Sequence, residues 1–163
     1  MKKFVIFIML LLTLILLVGC DPATYYFKKT EYIDKIQRIE LVKYTNEEYK
    51  IVDCTKEALR FDFQKAIAIE ILNEDKFADF LEEFETIVFH QVNESVNEPT
   101  GYCLLWYLRN GSCIVFSCTM VEGDRAYDMA AEFALDGTFI RHHAHFASRP
   151  HYENILEKYF EDY

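Results

Sequence analysis

The chain has 163 residues, 27 of them acidic against 17 basic, and a formal charge of -10. That balance excludes nucleic acid as a partner, because phosphate binding requires a basic footprint. The length suits one domain of ordinary size, and 14 Phe with 11 Tyr supply ample material for a core.

Residues 1–19 read as an export signal. Lys2 and Lys3 precede an apolar run from Phe4 to Val18 that is broken only by Thr13. A spanning helix usually needs about 20 apolar residues, so this run is short for one. It ends in Leu17-Val18-Gly19-Cys20, where an ordinary signal carries an Ala-x-Ala-like site. The tetrad resembles the lipobox of bacterial lipoprotein precursors, and the chain is similar in this respect to small lipoproteins of low-GC Gram-positive bacteria. The resemblance implies a thioether diacylglycerol on Cys20, cleavage before it, and acylation (palmitate or a similar chain) of the new amino terminus. It also implies residence on the extracytoplasmic face of the cell membrane. No cofactor other than this covalent lipid is expected. Cleavage removes two lysines and no acids, so 15 basic residues face 27 acidic ones and the formal charge moves to -12. Two or three acyl chains hold a protein at the membrane for practical purposes permanently.

With Cys20 lipidated, four cysteines remain, Cys54, Cys103, Cys113 and Cys118, in a compartment where disulfides form. No Cys-x-x-Cys spacing is present, so neither a zinc knuckle nor a thioredoxin-type pair is suggested. Residues 20–31 are expected to be the lipidated cysteine and a short tether, in which Tyr25, Tyr26, Phe27, Lys28 and Lys29 either rest at the membrane interface or begin the first strand. A single domain is expected over 32–163.

Within it, Ile33–Thr45 and Tyr49–Asp53 read as two strands of a hairpin, and Ala66–Leu72 as a buried strand. Asn73 offers a helix N-cap. Phe77, Phe80, Leu81 and Phe84 follow at i, i+3, i+4 and i+7 on one face, with Asp79, Glu82, Glu83 and Glu85 mostly on the solvated one. Ile87–His90 is a short strand, and the polar stretch from Gln91 to Gly101 is long for a loop, which is where binding functions often sit.

Two hairpins follow. The first, Tyr102–Thr119 around Asn110-Gly111, is read with a two-residue type I′ turn. That register sets Leu105 opposite Phe116 and Cys103 opposite Cys118, close enough for a disulfide, with two buried thiols as the alternative. Both faces of this hairpin are apolar, so it is either central in the sheet or meets a partner. The second, Ala126–Ala147 around Asp136-Gly137, is read with Leu135 opposite Thr138. Glu132 then faces Arg141 and Asp128 faces His145, on a charged outer face shared with His143, while His142 lies on the apolar face. His143 and His145, two apart on a strand, share a face and with Asp128 form the candidate metal ligands. Ser148 as N-cap and the stripe Tyr152, Ile155, Leu156, Tyr159 close the chain with a helix packed beside the first.

The expected fold is α+β, an antiparallel sheet of about six to seven strands with two helices on one face. From Ala66 onward this layout resembles the β-α-β₄-α arrangement of the TATA-binding-protein-like topology, in layout only. No glycine-rich phosphate loop or Gly-x-Ser-x-Gly elbow is present. The functional expectation is a membrane-anchored, non-enzymatic module that binds an extracytoplasmic protein or ligand. The alternative is an enzyme that is metal-assisted through His143 and His145, or thiol-dependent through Cys103 and Cys118.

Overall fold

The computed structural model describes residues 24–44, 60–90, 102–122, 125–146 and 149–163, and side chains throughout these except at positions 44, 65, 117–128 and 149. The signal with Cys20, the Tyr49–Asp53 strand, Cys54, the 91–101 loop and Ser148 lie outside the described residues.

Alternating apolar residues build one antiparallel sheet. Its strands are β1 (Thr24–Tyr25), β2 (Ile36–Tyr44), β3 (Ala66–Ile71), β4 (Phe89–His90), β5 (Tyr102–Leu108), β6 (Ser112–Glu122), β7 (Arg125–Ala134) and β8 (Phe139–Phe146). Among the described residues they lie in the order β1-β4-β8-β7-β6-β5-β2-β3, eight strands where six to seven were expected. The helices are α1 (Lys29–Tyr32), α2 (Phe77–Phe84) and α3 (Arg149–Tyr159).

The helix-side core forms where these stripes meet the sheet. Phe77, Phe80, Leu81 and Phe84 of α2, and Tyr152, Ile155, Leu156 and Tyr159 of α3, are all buried, as their spacing predicts. Trp106 stands at the centre, its ring 4.7 Å from both Phe84 and Phe116. The acidic side of α2 does more than meet water. Glu83 pairs with Lys158 and accepts from the Tyr159 hydroxyl at 3.0 Å, which joins α2 to α3. Asn73 caps a 3-10 turn that leads into α2 without a side-chain bond.

The opposite side holds a smaller cluster of Leu105, Cys113, Val115, Met129 and Phe133, with Phe61 and Phe63 packed onto it. Central position and burial on both faces therefore account for the doubly apolar β5–β6 hairpin, and no partner is needed to cover it.

Three sequence expectations change. First, residues 24–31 are part of the fold and not a tether. Thr24 and Tyr25 pair with His90 and Phe89, Phe27 is buried among Trp106, Phe89 and Phe116, and the α1 backbone N–H of Lys29 donates to Glu85 at 2.8 Å. Only residues 21–23 separate Cys20 from β1, a reach of roughly 14 Å. Of the aromatic and basic patch expected at the membrane, Tyr26 and Lys28 remain exposed.

Second, both hairpin turns have three residues. Leu105 pairs with Val115 and Leu104 with Phe116, one step from the expected register. The Gly111 N–H bonds to Leu108 O at 3.1 Å, and Gly137 N–H to Ala134 O at 2.9 Å. Gly111 (φ +84°) and Gly137 (φ +87°) take the left-handed position that ends such a turn. The preceding Asn110 amide oxygen and Asp136 carboxylate oxygen accept from the N–H groups of Ser112 and Thr138 at 3.0 and 2.9 Å. The register that set Cys103 opposite Cys118 is thus not the one formed. Cys103 is buried and pairs with Val42 on β2, whereas Cys118 pairs with Met129 on β7. The Cys118 side chain lies outside the described residues.

Third, the β7–β8 ladder is interrupted twice. Glu132 faces Arg141 as expected, but the pairs step from Phe133–Phe139 to Glu132–Arg141 and from Ala131–His142 to Ala130–Ala144. Ile140 and His143 are therefore extra residues on β8, each a bulge that resets which face the following side chains take.

Candidate functional site

The bulge at His143 decides where the chemically capable side chains of β8 point. Glu132 sits beside Ile114 on the helix side of the sheet, 3 % exposed, so the charged surface expected to face water is turned inward at this end of the core. Three donors surround it. Ser112 Oγ lies 2.5 Å from Oε1, while Arg141 Nε and His143 Nε2 lie 2.7 and 3.2 Å from Oε2. A second acceptor, Asn110 Oδ1, is 2.8 Å from the Ser112 hydroxyl. The Phe27 ring, 5.5 Å from the imidazole, and the Tyr25 ring, at 6.2 Å, wall the cluster on the N-terminal side. The hydroxyls of Tyr25 and Tyr32 are bonded at 3.2 Å.

Burial by itself raises the Glu132 pKa, but the hydrogen bonds of Ser112 and Arg141, the Arg141 charge and the His143 bond outweigh it and hold the carboxyl below its ordinary range. Burial, then the adjacent Arg141 charge, pushes His143 downward against the pull of Glu132. The imidazole is thus neutral beside a carboxylate, which requires its proton on Nε2 for the bond to form. The arrangement locks Ser112 and His143 onto one carboxylate. A nucleophile would instead need its hydroxyl on the imidazole. Arg141, with 61 % of its side chain exposed, is the part that reaches solvent.

The other candidate metal ligands are dispersed by the same bulge. His145 pairs with Met129 and so faces the side opposite His143. Asp128 pairs with Thr119 on β6, one position from the place expected opposite His145, and its side chain is not described. His143, His145 and Asp128 are not brought to one face. His142, expected on the apolar face as a core histidine, is exposed there, its ring 4.4 Å from that of His145. Across β4, His90 pairs with His145. Sequence reasoning missed this row of His90, His145 and His142, since His90 stands on a two-residue strand more than fifty positions away. Among the described residues no three His, Cys, Asp or Glu are placed to hold a metal as they stand.

A groove of about 460 Å³ opens where the end of β3 meets the β7–β8 turn. Ile71, Leu72, Phe77 and Leu135 form its apolar wall, and the Arg38 guanidinium, 4.0 Å above the Tyr107 ring and 3.2 Å from Glu40, its polar one. Burial and the Glu40 charge push the Tyr107 hydroxyl up to about 12. Cys113, on the same side of the sheet, is fully buried, and burial raises its thiol far above the ordinary range. A thiol held protonated in this way is a poor nucleophile.

No helix among the described residues is long and apolar enough to cross a membrane. Compared with protein-family models, with curated proteins and with solved structures, the chain finds no match.

Proposed function

We propose that this chain is a lipid-anchored extracytoplasmic module that binds a protein or other ligand and is not an enzyme. The observation that carries the anchor is the Leu17-Val18-Gly19-Cys20 tetrad behind a fifteen-residue apolar run. With the sheet starting at Thr24, a lipid on Cys20 holds the β1 edge within roughly 14 Å of the bilayer. The acidic domain, formally -12 after cleavage, is repelled by an anionic surface and turns its carboxylates away from it. Binding is supported by the groove beside Arg38 and Tyr107, whose mostly apolar wall and few polar groups suit a ligand of modest size. The thiol-dependent alternative loses support because Cys103 is buried and pairs with Val42 on β2, while Cys118 pairs with Met129 on β7.

Mass spectrometry of the amino-terminal peptide from membrane-extracted protein tests the anchor. A diacylglycerol-modified Cys20 at the new terminus is expected, with lipid label lost in Cys20→Ala, and an unmodified Cys20 in the wild-type chain overturns it. Photo-crosslinkers placed at Ile71 and Leu135 on intact cells test the groove. Reproducible adducts that vanish with Arg38→Ala support binding there, and their absence removes the groove from consideration.

A further inference from the structure

We propose that His90, His142 and His145 form a site for a divalent cation of the zinc class on the sheet face opposite the helices. Two features of the backbone assemble it. His90 and His145 are Cα partners in the antiparallel β4–β8 pair, so their side chains leave the same face with Cβ atoms about 5 Å apart. The bulge at His143 then brings His142 onto that face, three residues from His145 instead of two, with its ring 4.4 Å away. Regular alternation would have sent His142 to the other side.

The chemistry of the row fits a borderline metal ion. Imidazole is the ligand such ions favour, and it binds in its neutral form. His145 is buried and held, whereas His142 is exposed and provides the route by which an ion enters. As they stand the rings of His142 and His145 are tilted, 38° from parallel, and do not converge on one point. Convergence requires His142 to change rotamer, a movement open to an exposed side chain. Three imidazoles leave a fourth tetrahedral position for water or for a donor on a partner. The site is independent of the lipid anchor and of the Glu132 cluster, which lies on the opposite face.

The test uses the full chain in detergent, stripped with chelator, titrated with zinc by calorimetry and with cobalt by visible absorption. One ion per chain is expected, with His142→Ala and His90→Ala each weakening binding at least about tenfold. His151→Ala, an exposed histidine bonded to Thr86 and outside the row, is expected to leave it unchanged. His142 is exposed, so its variant keeps the fold, checked by circular dichroism. No binding by the wild-type chain, or binding whose affinity is the same in His142→Ala, overturns the proposal.

Discussion

The β5–β6 and β7–β8 hairpins close with the same three-residue turn, each with an Asx-Gly pair and the glycine at positive φ. Beyond the turn they diverge. The β5–β6 ladder runs in one register from Tyr107–Cys113 to Leu104–Phe116, and its side chains alternate strictly between two apolar clusters. The β7–β8 ladder carries bulges at Ile140 and His143 and gathers a carboxylate, a guanidinium and imidazoles instead. An uninterrupted ladder fixes which residues are buried and contributes mainly stability. A bulged one redirects individual side chains, and here it places His143 against Glu132 while leaving His142 beside His145.

The largest effect should come from the regular hairpin. Trp106→Ala removes the side chain that Phe84, Phe116, Phe27 and Tyr32 surround, and is expected to cost about 4–5 kcal/mol in denaturant unfolding. The indole N–H has no hydrogen-bond partner among the described residues, so Trp106→Phe, which also removes that donor, should cost clearly less. Equal losses for the two variants would show that a smaller ring recovers none of the packing at the centre of the core.

On the bulged hairpin, Glu132→Ala leaves Ser112, His143 and Arg141 without their shared acceptor. The cost expected is about 3 kcal/mol, at the low end for a broken buried pair because the Arg141 head is largely in water. The pH dependence follows from the same cluster. The folded Glu132 pKa lies below its ordinary 4.5, so its contribution is fully present above that pH and is lost as pH falls through the folded value. His143 and His142 are likewise lowered from 6.5, and since the unfolded chain binds those protons first, stability declines on acidification from about pH 6.5. Wild type should therefore lose stability in two stages, below about 6.5 and below about 4.5, and Glu132→Ala should lack the second contribution of this residue. A flat profile between pH 7 and 5 would contradict the lowered pKa of the two imidazoles.

Much of this contrast was legible in the sequence, though unevenly. The helix stripes at Phe77 and Tyr152 and the positions of both hairpins follow from periodicity and turn residues, because burial imposes them. The Glu132–Arg141 pairing matches because the bulge at Ile140 offsets the extra turn residue. The turn length did not follow. Asn-Gly and Asp-Gly satisfy a two-residue type I′ turn and a three-residue turn with glycine last equally well, and the apolar residues on both sides of β5 and β6 allow either register. The bulges leave no compositional mark, so the face taken by His143, His145 and Asp128 was inferred from an alternation the backbone breaks. β1 spans two residues, too few for any pattern, and its place in the sheet rests on Phe27 filling the core beside Trp106.

The smallest effects separate the two turns from each other. An alanine at either glycine must adopt a positive φ, at about 1–2 kcal/mol. At Gly111 nothing lies within 4 Å of the added Cβ, so Gly111→Ala should cost that amount and no more. At Gly137 the Cβ would fall 2.3 Å from the Phe61 carbonyl oxygen. The same backbone is tied there by the bond from Phe61 N–H to Gly137 O at 2.9 Å and by the Arg60–Thr138 bridge. The clash cannot be relieved by a side-chain rotation, because the obstructing atom is main chain. Gly137→Ala should therefore cost roughly 1–3 kcal/mol more than Gly111→Ala, the usual range for overpacking. Paired thermal melts of the two variants measure the difference directly. Equal losses would mean that the 60–63 segment does not press on the turn, and that the apolar cluster under Phe61 is held by β-sheet residues alone.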